Sequence, residues 1–314
     1  MKRAARVIIA AGVALIVLAV IGRLVLGAYA PKPVKPAAGG YLGVAEAGET
    51  SSYQRVDEFA AAVGRQPNIV LYYSSWNEAF NSQFAGQVHT HGAIPFVQID
   101  PGHTSLATIA AGHDDAFVKS YARQVRAYGH PVIIGFAAEM NGDWDSWGYR
   151  HTPAKTFVAA WQHIVTVFRQ QGAKNVIWLW TIDVTEPGTG PIQDWWPGAS
   201  YVTWVGIDGY YYQRDYTFDN AFLPTIAEVR IFTQRPILLS EIGIGQVAGQ
   251  AAKIPDMFAG VRANHLLGFV WFDQTQADGV YHQDWRLEDN PSGLAAFRRE
   301  LRMYQDPAPG GMRR

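Results

Sequence analysis

Eight short apolar segments alternate with longer amphipathic ones over roughly 260 residues, a pattern that predicts an α/β protein folded as a single (β/α)8 TIM barrel. Three observations support this. The short segments are apolar almost continuously, as strands of a parallel sheet must be when helices cover the sheet. The longer segments repeat their apolar residues every three or four positions. A doubly wound open sheet would carry a glycine-rich phosphate turn after its first strand, and AEAGETSS has none.

The expected strands are residues 41–48, 68–76, 93–100, 131–139, 176–183, 202–210, 236–243 and 268–274. Their apolar character is nearly continuous, as in NIVLYYSSW, VIWLWTID and GFVWFDQ. Helices are expected over 117–129, 154–172, 222–234 and 254–268. The first two end in glycine, which stops a helix without steric cost. GIGQVAG (243–249) follows the seventh strand and does not fit the spacing of a dinucleotide-binding turn.

The chain has 314 residues, 26 basic and 27 acidic side chains and no cysteine. The balanced charge offers no field for nucleic acid. The missing cysteines exclude disulfides, zinc–thiolate sites and thiol nucleophiles. Lys2, Arg3 and Arg6 precede an uncharged apolar run over 7–22, the pattern of an export signal. Residues 1–30 are therefore expected to be a signal peptide or a signal-anchor helix, with the barrel secreted or held on the outer face of the cell membrane. Residues 31–40 (PKPVKPAAGG) read as a proline-rich linker, 41–305 as the barrel and 306–314 as a tail.

In such barrels chemistry sits at the C-terminal ends of the strands. The polar residues there are nearly all acidic: Glu46, Asp100, Glu139, Asp183, Asp208, Glu241 and Asp273. Glu139 and Glu241 each follow an apolar stretch, PVIIGFAA and PILLS, that offers no partner in sequence. Burial and a neighbouring carboxylate both raise a carboxyl pKa, so a pair of this kind can divide the roles of acid and nucleophile. Retaining glycoside hydrolysis needs that division. Trp76, Trp144, Trp147, Trp180 and Trp271, near the same ends, offer flat faces for sugar rings, while Trp178 and Trp204 lie mid-strand and read as packing. His89 and His91, two apart on a helix, diverge and do not suggest a metal site; neither a G-x-S-x-G elbow nor a Walker loop is present.

EMNGDWDSWG after the fourth strand, WVGIDGYY on the sixth and LLSEIG on the seventh resemble glycoside hydrolase family 26, a (β/α)8 family of clan A. The likeness covers about residues 41–305. It implies a retaining endo-glycosidase acting on β-1,4-mannan, β-1,3-xylan or mixed-linkage β-glucan, without a cofactor or metal, as a monomer whose partner is a polysaccharide. By position, Glu139 resembles the acid/base and Glu241 the nucleophile. Trp144 resembles the tryptophan of the cleft, Tyr210 the tyrosine bonded to the nucleophile with Asp208 two residues before it, and Trp271 the sugar-stacking platform. Asp100 and Trp76 are added as substrate-binding candidates from their places at strand ends. One departure is clear: the family usually has histidine just before the acid, and this chain has Ala138.

Overall fold

The computed structural model describes residues 40–45, 50, 52–246, 248–276 and 282–304. The expected signal or anchor, all but the last residue of the linker, Glu46 and the tail lie outside the described residues. In chain order the elements are β1 (Tyr41–Ala45), α1 (Gln54–Val63), β2 (Ile69–Ser75), α2 (Ser82–Thr90), β3 (Ile94–Asp100), α3 (Leu106–Ala110), α4 (Asp115–Tyr128), β4 (Val132–Phe136), α5 (Ala154–Gln170) and β5 (Val176–Asp183). A single 3-10 turn, Ile192–Trp195, leads to β6 (Trp204–Tyr211), α6 (Phe218–Ala221), α7 (Leu223–Phe232), β7 (Ile237–Ile244), α8 (Gln250–Ala263) and β8 (Gly268–Phe272). A small hairpin, β9 (Thr275–Gln276) and β10 (Gln283–Asp284), precedes α9 (Pro291–Met303).

The eight long strands form one closed parallel barrel in sequential order, as the sequence predicts. Closure is the pairing of β1 with β8, Tyr41 opposite Gly268 through Ala45 opposite Phe272. Gly268 has a φ of 145°, and a Cβ there would stand 2.1 Å from the Tyr41 carbonyl oxygen, so only glycine fits this seam.

Two apolar layers follow from the two-residue period of the strands. Inside the barrel, Ile69 and Leu71 of β2, Ile94 and Phe96 of β3, Leu179 of β5 and Trp204 of β6 form a packed floor, joined by Trp285 from beyond the hairpin. The alternate residues face the helices in a larger outer layer. Helix α4 buries Val118, Tyr121, Ala122 and Val125 against it, the i, i+3, i+4, i+7 stripe of an amphipathic helix, and ends at left-handed Gly129. Helix α8 starts four residues before its sequence expectation and stops at Ala263, with Pro255 inside it rather than at its opening. Strands β4 and β8 are shorter than expected.

Candidate active site

The inward rows of the strands run up from the floor into a cleft of about 580 Å³ at the C-terminal rim. Tyr73 continues the row of Ile69 and Leu71, Gln98 that of Ile94 and Phe96, and Asp183 that of Ile177 and Leu179. Asp208 and Tyr210 continue the row of Trp204, and Phe272 that of Val270.

The two glutamates arrive by different backbone devices. Strand β4 ends at Phe136, and Ala137 and Glu139 then take left-handed conformations, φ 49° and 55°. Left-handed φ at non-glycine residues is costly and persists where the surroundings enforce it. Here the enforcement is hydrogen bonding: the Ala137 N–H donates to Ile99 O (3.0 Å) and the Glu139 N–H to Thr181 O (3.1 Å). Asn141, fully buried, locks the turn by exchanging side-chain bonds with both backbone groups of Asp183, each 2.9 Å. On β7 the register against β6 slips, so that Ile207 faces Leu239 and Asp208 faces Glu241. This bulge at Ser240 turns two successive residues inward. The Ser240 hydroxyl donates to Asp208 Oδ1 (2.5 Å), and Glu241 enters the cleft above it.

The carboxyls titrate apart. Burial, then the Glu241 charge, pushes Glu139 up to about 8. The Trp144 indole N–H, 2.9 Å from Glu139 Oε2, opposes that rise. Burial also raises Glu241, but two phenols donate to it, Tyr73 to Oε1 and Tyr210 to Oε2, and both favour its ionised form. Asp208 and Asp183 are held well above the usual carboxylate range, first by burial and then by neighbouring charge, Glu241 and Glu139 on Asp208, and Glu139 and Glu186 on Asp183. Asp145 is raised to about 6 by burial and by Asp100. Among the described residues, no lysine or arginine lines the cleft.

Of the candidates from sequence, Glu139, Glu241, Trp144, Asp208, Tyr210 and Asp100 meet in this cleft. Trp144 is 50% exposed, a flat face open to ligand. Asp100 stands at the rim and accepts the Gly102 N–H (2.5 Å).

Two candidates are corrected. Trp271 is 0% exposed and lies in the outer layer, its ring edge-on to Phe297 of α9 and its N–H donating to Trp285 O (3.2 Å). It cannot stack on a sugar; Val270 and Phe272 take the inward positions on β8. Trp76 has the outward parity of Val70 and Tyr72 and packs against Phe117 of α4 and Phe136. Trp180 is likewise buried, against Trp196 and Phe232. Asp273 is buried as the acceptor of the Leu287 N–H (3.1 Å). His89 stacks on His130 and His91 on Tyr53, so the two do diverge. Tyr73 is the residue that sequence reading missed; the alternation of β2 through Ile69 and Leu71 points to it.

The profile of glycosyl hydrolase family 26 matches residues 110–306. Endoglucanase H of Acetivibrio thermocellus is 28% identical over 271 residues, 81% of this chain and 29% of that protein, so the chain spans under a third of the endoglucanase's length. Mannan endo-1,4-beta-mannosidase of Bacillus subtilis is 22% identical over 291 residues, 76% of this chain and 77% of that protein. A solved GH26 beta-mannanase from Bacteroides ovatus superimposes with a TM-score of 0.66 at 14% identity, covering 88% of this chain and 92% of that one, which shows a common fold.

Proposed function

Because the chain belongs to glycoside hydrolase family 26, we propose that it is a retaining endo-glycoside hydrolase of β-linked polysaccharide, β-1,4-mannan first, with Glu139 as acid/base and Glu241 as nucleophile. The observation that carries this reading is the opposite provision for the two glutamates in one cleft. Glu139, raised to about 8, holds a proton at neutral pH; Glu241 has a hydroxyl donor on each oxygen.

In the first step the Glu139 proton passes to the glycosidic oxygen as a Glu241 oxygen attacks the anomeric carbon. The carbon–oxygen bond to the departing chain breaks, leaving a glycosyl ester on Glu241. In the second, the Glu139 carboxylate takes a proton from water, the water oxygen attacks the same carbon, and Glu241 leaves as carboxylate. The exposed indole of Trp144 offers a face to a sugar ring while its N–H holds the acid. The barrel works outside the cell, released or anchored through residues 1–30, as a monomer; among the described residues no helix is long and apolar enough to cross a membrane.

A second reading has support of its own: the endoglucanase likeness spans 81% of the chain and favours β-glucan. Reducing-sugar release by residues 31–314 from mannan, xylan, mixed-linkage glucan and arabinogalactan separates the two. A 2-fluoro glycoside with a good leaving group should mass-label the peptide carrying Glu241. Binding without turnover or labelling on every glycan would leave a non-catalytic carbohydrate-binding protein.

A further inference from the structure

Two phenols reach Glu241, and they are not equivalent. Tyr210 is fixed: its ring lies edge-on to Phe272 (5.5 Å between centroids), is tilted on Trp285 (5.0 Å) and sits beside Gly243, where a Cβ would come within 3.0 Å of it. Tyr73 comes from β2, across β8 and β1 from the glutamate. As a whole residue Tyr73 is 45% exposed while its hydroxyl end is buried against Glu241, and no ring among the described residues packs on it. Each hydroxyl takes a different carboxylate oxygen, Tyr210 Oε2 and Tyr73 Oε1. Each oxygen keeps a second lone pair for attack, but a hydrogen bond to the attacking oxygen draws off its electron density and makes it the poorer nucleophile. The phenol without ring packing is the one that can yield.

We propose that Tyr73 is a positioning residue that caps Glu241 Oε1 while the cleft is empty and releases that oxygen to the incoming sugar, leaving Tyr210 to hold Oε2 throughout. This rests on Glu241 being the nucleophile. Before substrate binds, Tyr73 keeps Glu241 ionised and aimed; burial and the adjacent carboxylate keep the Tyr73 phenol protonated, a donor at any working pH. The bound sugar takes the vacated place, and the Tyr73 hydroxyl turns to the ligand. The other titratable groups facing Glu241 are Glu139 beyond β4, Asp183 on β5 and Asp208 and Tyr210 on β6.

Tyr73→Phe keeps the ring and removes the donor. Glu241 in the free enzyme then becomes a weaker acid, so the acidic limb of kcat/KM should move up by roughly one pH unit, the worth of a charge-assisted hydrogen bond. The acidic limb of kcat, which reports the substrate complex, should not move, because Tyr73 has already left Glu241 there. Tyr210→Phe should move both limbs. Glu241 labelling by the fluoro glycoside above the limb shows that the variant is folded. If both limbs move in Tyr73→Phe, the phenol stays on the nucleophile and the release is wrong. If neither moves while KM rises, Tyr73 is only a wall for the sugar. If the unmodified enzyme is never labelled at Glu241, the nucleophile assignment itself fails, which is a different result from either.

Discussion

Glu139 stands on irregular backbone three residues past β4, at the second of two left-handed kinks, whereas Glu241 stands within β7, beside a bulge, on a strand paired on both sides. Their side chains differ in the same sense. Glu139 has one indole donor and a pKa raised to about 8; Glu241 is also raised by burial, but two phenol donors oppose that rise. The fold thus prepares one carboxyl to keep a proton and the other to lose it, using partners from separate walls: Trp144 from the loop after β4, Tyr73 and Tyr210 from β2 and β6. Both half-exposed aromatics of the cleft, Trp144 and Tyr73, spend their polar tips on a glutamate.

The harshest way to break the contrast is to remove each glutamate. Glu241→Ala should lower kcat by at least about 10⁴-fold, above the upper end of what general acid catalysis contributes. Glu139→Ala should cost about 10²–10⁴-fold on polysaccharide, yet spare the first step on aryl glycosides with good leaving groups, which need little protonation. Azide should rescue Glu139→Ala to a β-glycosyl azide and Glu241→Ala to the α-product. The opposite stereochemistry would exchange the two roles.

A smaller change adds a group on the Glu139 side alone. Ala138 lines the cleft next to the acid, where the family usually has histidine. Restoring a positioning hydrogen bond of about 1–3 kcal/mol makes Ala138→His roughly ten- to a hundredfold faster in kcat/KM on mannohexaose, if mannan is the substrate. A histidine variant no faster than the parent, with the parent preferring another glycan, would mark the alanine as a specificity residue.

The mildest test takes away the indole donor. Trp144→Phe removes a hydrogen bond that favours ionised Glu139, so the pKa of about 8 should rise further. An acid must be protonated to work, so the basic limb of the rate profile should shift up by roughly one unit. A downward shift would mean that Trp144 acts through packing and not through its N–H.

The barrel was legible because continuous apolar strands and amphipathic helices alternate without a break. The site was legible where chemistry falls on residue type, as with Glu139, Trp144, Asp208 and Tyr210. It was less so where backbone geometry decides the outcome. Strict alternation on β7 would send Glu241 to the helix side with Leu239, and only the bulge at Ser240 returns it to the cleft. On β8 the same alternation, counted from Val270, separates Trp271 from the sugar, whereas closeness to the strand end suggested the reverse. Tyr73 escaped notice because a tyrosine inside NIVLYYSSW looks like any other apolar strand residue until its face is counted.

The seam at Gly268 and Tyr41 ties the first strand of the barrel to the last. Barrel closure joins the first strand to the last, so its entropic cost falls on a loop containing nearly the whole domain and grows only logarithmically with that length. Contacts so distant in sequence make for slow assembly. Glu241 lies on β7, whose outer neighbour is β8, the strand that completes the ring. The wall that carries Glu241 is complete only when the two ends of the sheet meet. The cleft is therefore complete only with the pairing most distant in sequence, and not with the bulk of the secondary structure.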